Sequence, residues 1–245
     1  MVNRLSTAFY IGTSGWHYDH WRGIFYPDKL QKTYWLDFYS RHFNTVEINA
    51  SFYRLPSENT FTTWHNTVFP EFCFALKASR FITHIKKLKD IREPLLTFTQ
   101  RALNLKNNLG PVLYQLPPGL HRDNGLLESF IALLDPNLRH VIEFRHQSWI
   151  DQSVFDLLRR YNIGFCIFDM PGFSSPVLST AGFAYFRFHG KGELYSGSYP
   201  DDELHNWAEK ILEMASVVQS VYAYFNNDYE GFAVKNALTL KDYLK

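Results

Sequence analysis

Eight short apolar runs recur along the chain, at 9–13, 45–49, 73–79, 111–116, 140–145, 164–169, 184–189 and 221–226. Helical periodicity falls between most of them. The helical stretches are 34–42, where Trp35, Phe38 and Tyr39 share a face, 58–65 with Phe61 and Trp64, and then 93–107, 126–134, 153–161, 202–217 and 231–244. Strand and helix alternate throughout, with strand ends roughly 30 residues apart, which is the pattern of parallel βαβ units. Eight such units in 245 residues predict an α/β fold, a single (β/α)8 TIM barrel spanning residues 1–245 as one domain. An open doubly wound sheet is the competing architecture. It usually has fewer strands, and no GxGxxG follows the first run.

Two connections depart from the regular unit. Residues 170–183 are so rich in Pro, Gly and Ser that the sixth helix is expected to be short or missing. Residues 14–32 form a long aromatic loop with Trp16, Tyr18, Trp21, Phe25 and Tyr26, and long loops in compact domains tend to carry function. The 194–199 loop, with Tyr195, Gly197 and Tyr199, reads the same way.

Composition narrows the partners. The 22 Phe, 15 Tyr and 6 Trp supply a bulky core and leave aromatics to line a cleft. A net charge of +1 argues against nonspecific duplex binding. Cys73 and Cys166 both sit in apolar runs, as buried reduced thiols would. No stretch approaches the ~18 apolar residues of a membrane span, and the first residues lack a hydrophobic signal region. The expectation is a cytoplasmic protein with no membrane contact and no indicated protein partner.

In a (β/α)8 barrel the active site lies at the C-terminal strand ends. Alternation along each strand then says which side chains meet there. Strand two brings Glu47 and Asn49, with Tyr53 following. Strand three brings Lys77, and strand four Gln115. Strand five runs from apolar Val141 into Glu143 and Arg145, with His146 and Trp149 beyond. Strand six ends in Asp169, strand seven in Arg187 and His189, and strand eight in Asn226 and Asn227. Buried strands rarely carry such groups unless they are paired or used.

Several motifs resemble those of the DUF72 (YecE-like) family of TIM-barrel proteins. They are Gly12-Thr13-Ser14-Gly15-Trp16 with Tyr18 and Trp21, Gly23-Ile24-Phe25-Tyr26-Pro27, and Phe43-Asn44-Thr45-Val46-Glu47-Ile48-Asn49 with Ser51-Phe52-Tyr53. Phe74-Ala75-Leu76-Lys77, Leu113-Tyr114-Gln115-Leu116-Pro117-Pro118 and Glu143-Phe144-Arg145-His146 with Trp149 follow. Tyr185-Phe186-Arg187-Phe188-His189-Gly190 and Tyr224-Phe225-Asn226-Asn227 complete the set. The resemblance spans essentially the whole chain. It implies the barrel and a polar site at its mouth, and it supplies no substrate.

The residue types allow three chemistries. Glu143, Asp169 and His189 could hold a divalent metal (Mg, Mn or Zn) for assisted hydrolysis, although Arg145, Arg187 and Lys77 would compete for the carboxylates. Glu47 and Glu143 could be a metal-free acid–base pair of the glycosidase kind, except that Arg145 beside Glu143 would hold it ionised and make it a poor acid. Lys77, Arg145 and Arg187 could instead bind an anion, with Glu47, Glu143 and His189 as further catalytic candidates. In that reading Asn49, Gln115, His146, Asn226 and Asn227 orient the ligand, while Trp16, Tyr18, Trp21, Tyr53 and Trp149 wall the site. The ligand is expected to be an anionic small molecule or a single-stranded nucleic-acid element, and the protein a hydrolase of a phosphate-bearing or nucleic-acid-related substrate. A non-catalytic barrel that only binds the anion is the alternative from another class.

Overall fold

The computed structural model describes residues 7–192 and 196–245. Tyr195, expected in a functional loop, lies outside the described residues. Eight parallel strands run in the order β1-β8-β7-β6-β5-β4-β3-β2. They are β1 (Ala8–Thr13), β2 (Thr45–Ile48), β3 (Cys73–Lys77), β4 (Leu109–Gln115), β5 (His140–Glu143), β6 (Gly164–Asp169), β7 (Phe183–Phe188) and β8 (Ser220–Phe225). The seam between β1 and β2 is closed by a parallel bridge of Ser14 with Glu47, where the Gly15 N–H donates to the Glu47 carbonyl at 2.7 Å. Gly12 makes this closure possible. A Cβ there would run into the Thr45 carbonyl oxygen, so only a glycine lets the two strands approach.

The helices lie between the strands: α1 (Trp35–Ser40), α2 (Ala50–Tyr53), α3 (Glu58–Thr67), α4 (Arg92–Ala102), α5 (Asn124–Ile131), α6 (Gln152–Arg160), α7 (Asp201–Ala215) and α8 (Phe232–Tyr243). Three of their starts are fixed by side-chain caps from Ser57, Asp123 and Asp151. Among the described residues no helix joins β6 to β7. That connection is sewn back onto β6 instead. Ser175 Oγ accepts from the Phe168 N–H, and Thr180 Oγ1 accepts from the Phe165 N–H while donating to the Ile163 carbonyl. The two hydroxyls satisfy strand backbone groups that would otherwise be buried unpaired.

Strand parity divides the core in two. One phase packs outward against the helices, as Val46, Phe74, Ile142, Ile167 and Phe186 do. The other fills the barrel with Cys73, Ala75, Leu113, Val141, Cys166, Tyr185, Tyr222 and Tyr224. Both cysteines are free and buried there. One step further along the same inward phase the side chains turn from apolar to polar or charged, at Glu47, Lys77, Gln115, Glu143 and Arg187. The apolar layer is therefore a floor, and the charged layer sits on it at the C-terminal mouth.

Candidate active site at the barrel mouth

Arg187 is the centre of the charged layer. Its Nε and Nη2 donate to Glu47 Oε1 at 3.2 and 2.8 Å, and its Nη1 donates to Glu143 Oε2 at 2.5 Å. All three side chains are fully buried. Glu47 also accepts from the Ser14 hydroxyl at 2.6 Å and the Tyr185 phenol at 2.6 Å. Glu143 accepts from Gln115 Nε2 at 3.1 Å, and its Oε1 pairs with Arg145 Nε. Burial alone would raise both carboxyls. Arg187 and the hydrogen bonds overcome this for Glu47, and Arg145 with Arg187 overcome it for Glu143, so both are held below the usual carboxylate range. Arg187 is buried too, yet the two carboxylates keep it charged.

His189 closes the row. Arg145 Nη2 lies 3.0 Å from His189 Nε2. Guanidinium can only donate, so this contact makes Nε2 an acceptor and suits a neutral imidazole. Burial, together with repulsion from Arg187 and Arg145 and against the pull of Glu143, brings its pKa down to about 4. The layer then holds two carboxylates, two guanidiniums and a neutral ring, and it balances.

Lys77 does not join this balance. Its ammonium lies 4.2 Å from the centre of the Phe52 ring and makes no hydrogen bond or ion pair with another described residue. Burial, then repulsion from Arg187, lowers its pKa from 10.5 to about 8, with Glu143 and Glu47 opposing. It opens into a cavity of about 280 Å³ shared with Tyr18, Asn49, Tyr53, Asn226 and Asp228. Burial raises the Asp228 carboxyl in the same cavity. Asn49 Oδ1 is buried without a hydrogen-bond partner among the described residues. The mouth therefore presents an ammonium that makes no ion pair among the described residues, a carboxylate made more basic than usual, and an amide oxygen without a partner among them.

The expected site residues separate accordingly. The structure brings together Glu47, Lys77, Gln115, Glu143, Arg145, Arg187, His189 and Asn226, whose amide lies 3.3 Å from His189 Nδ1. Tyr18, Asn49 and Tyr53 line the cavity. Asp169 does not converge with Glu143 and His189. It belongs to the outward phase of β6, between inward Phe168 and the loop, and it pairs with Lys191 at 3.0 Å and Ser174 at 3.0 Å. Among the described residues no group of three His, Cys, Asp or Glu side chains could hold a metal ion. The donors left for one are already engaged by arginines, so the metal trio is corrected on geometry.

Trp21 and Trp149 are corrected as well. Both are fully buried. Trp21 Nε1 donates to the Asp228 carbonyl at 3.0 Å, and Trp149 Nε1 donates to the Leu120 carbonyl at 2.7 Å while its ring stacks on Phe144. The aromatic 14–32 loop is mostly packing: Tyr26 stacks on Trp35 at 4.5 Å. Asn227 is buried on the outward phase, where it donates to the Gly197 carbonyl and to Asn236 Oδ1, so it braces a loop. His146 stacks on His121 at 3.9 Å and does not line the cavity. Ser14 and Asp228 were missed. Ser14 lies in a loop just past β1, and Asp228 two residues past the inward Asn226.

Comparison with known proteins agrees with this architecture. A solved structure of a DUF72 family protein from Thermotoga maritima superposes with a TM-score of 0.89 at 31% identity, covering 97% of this chain and 99% of that one. A DUF72 family protein from Enterococcus faecalis V583 superposes at 0.84 with 20% identity, over 96% and 95% of the two chains. Among curated relatives, the UPF0759 protein YunF of Bacillus subtilis is 24% identical over 96% of this chain and 94% of its own length. The UPF0759 protein YecE of Escherichia coli K12 is 28% identical over 56% of this chain and 48% of its own length. The family model described as a protein of unknown function, DUF72, matches residues 10–245, and the chain belongs to that family.

Proposed function

We propose that the protein is a hydrolase that binds a small phosphate-bearing substrate at the barrel mouth. The observation that carries this reading is the unmatched Lys77 ammonium, held beside a charge layer that is otherwise balanced. A phosphate dianion in the cavity would supply the missing counter-charge and raise the depressed pKa of the amine back toward its ordinary value. The Asn226 amide lines the same opening. Asp228 is the base. Its raised carboxyl is a better proton acceptor than an exposed aspartate, and it can take a proton from an attacking water. A new P–O bond then forms to that water, the ester P–O bond breaks, and the leaving oxygen takes up the proton that Asp228 received, which restores the carboxylate.

The two glutamates do not fit an acid–base pair. Both are held ionised and are saturated by donors, so neither has a proton to give. Phosphate release from a panel of phosphomonoesters tests the proposal. Release by the wild type, lost in Lys77→Met and in Asp228→Asn, supports it. Phosphate binding without release of phosphate from any ester would leave the non-catalytic, anion-binding barrel. Failure to bind phosphate at all would remove both readings.

A further inference from the structure

A second cavity, of about 330 Å³, opens beside the Lys77 cavity. Its lining includes Trp16, Tyr18, Asn49 and Trp64. Tyr18 and Asn49 belong to both cavities, so they form the partition between them. The Tyr18 phenol is pinned by donating to the Ser14 carbonyl at 2.6 Å, which fixes that wall. Each cavity alone is at the lower edge of the size that holds a ligand, and the pair falls well within it.

The two chambers differ in character. The first is polar and carries the free ammonium. The second is walled by two indoles set edge to face at 5.2 Å and 85°. Trp16 is buried and accounted for by its packing on Trp64 and Phe74. Trp64 is half-buried, packs on Phe61 and Phe74, and lines the chamber. Between the chambers stands the Asn49 amide. Asn49 sits at the start of α2, yet its side chain makes no capping bond, and its Oδ1 is buried without a partner among the described residues. A buried acceptor left unsatisfied is costly unless a ligand donates to it.

An anion-binding group, a buried acceptor and a chamber lined by two indoles, in sequence, describe a ligand with three matching parts. We infer that the substrate class is a nucleoside monophosphate, with its phosphate at Lys77, an N–H or O–H of the nucleoside on Asn49 Oδ1, and its base in the Trp16–Trp64 chamber. This inference rests on the phosphate reading above and narrows it. Bases stack readily on tryptophan, so the second chamber adds affinity that phosphate alone cannot reach. The neutral balance of the deeper layer leaves Lys77 to neutralise one small phosphate.

The test compares inorganic phosphate, ribose 5-phosphate and adenosine monophosphate by calorimetry, with tryptophan fluorescence as a second readout. The inference expects adenosine monophosphate to bind at least about tenfold more tightly than the other two, since stacking of one base is worth about that much or more. Its binding should also perturb tryptophan emission. Trp64→Leu should lose that advantage while inorganic phosphate binds as before, and the unchanged phosphate affinity shows that the variant is folded. Asn49→Ala should weaken the nucleotide as well. If adenosine monophosphate binds no better than ribose 5-phosphate, or keeps its advantage in Trp64→Leu, the inference is overturned while the phosphate reading stands. If inorganic phosphate itself does not bind, the phosphate reading falls and takes this one with it.

Discussion

Replacing Lys77 with methionine should stabilise the protein and destroy its ligand binding. The folded state lowers this amine from 10.5 to about 8. Holding it protonated at pH 7 therefore costs about 3 kcal/mol relative to the unfolded chain. Its contact with Phe52 returns about 1 kcal/mol of that. Methionine keeps an unbranched apolar stem on the same ring without the charge. The net gain is about 2 kcal/mol, which for a chain of this size is a rise of roughly 4–8 °C in Tm. The pH dependence identifies the cause. A lysine whose folded pKa is depressed destabilises the fold fully below that pKa, and the penalty fades as pH rises from about 8 to 10.5. The gap between wild type and Lys77→Met, read by urea unfolding, should be widest at pH 7 and close by pH 10.5. A variant that is less stable at pH 7, or a gap that ignores pH, would refute the electrostatic argument.

Further perturbations follow from the charged layer and the seam. Arg187→Met strands two buried carboxylates and should cost about 3–5 kcal/mol in chemical denaturation; a loss under 1 kcal/mol would mean the layer is not desolvated as described. His189 is held neutral with a pKa of about 4, so the unfolded chain, with its histidine near 6.5, takes up the proton first. Stability should fall by up to about 3 kcal/mol as pH drops from 6.5 to 4, and His189→Gln should flatten that slope; equal slopes in both proteins would contradict it. Glu47 and Glu143 have depressed pKa values, so their contribution is present above the ordinary carboxylate range and is lost at still lower pH, as the pH falls through their folded values. Gly12→Ala forces a methyl group against the Thr45 carbonyl at the barrel seam and should lower stability by about 1–3 kcal/mol, measured by thermal unfolding; an unchanged Tm would show that the seam can relax.

The barrel was legible because its evidence is local. Apolar runs such as 140–145 and 164–169 announce strands, and the Pro-, Gly- and Ser-rich 170–183 segment announces the missing helix. Parity along one strand also placed Glu143 and Arg145 on one face correctly, and their adjacency already implied an ionised Glu143. What misled was a strand end read without its parity. Asp169 follows inward Phe168 and so faces outward, away from the mouth. Trp21 and Trp149 have side chains suited equally to a core and a cleft, and only the positions of the Asp228 and Leu120 carbonyls decide between the two. The isolation of Lys77 could not be read from the chain, because it depends on Arg187 reaching both Glu47 and Glu143, on strands far apart in sequence. The π-system beneath Lys77 was hidden in α2, a single turn too short to show periodicity.

The claim that most needs testing is that Lys77 is a desolvated amine awaiting an anion. Nuclear magnetic resonance of protein carrying lysine labelled at the ε-carbon reads it directly, with Lys77→Arg assigning the signal. The account predicts one lysine titrating near pH 8 and shifting upward when inorganic phosphate is added. A Lys77 signal that titrates at the ordinary lysine value of 10.5, or that ignores phosphate, would contradict it.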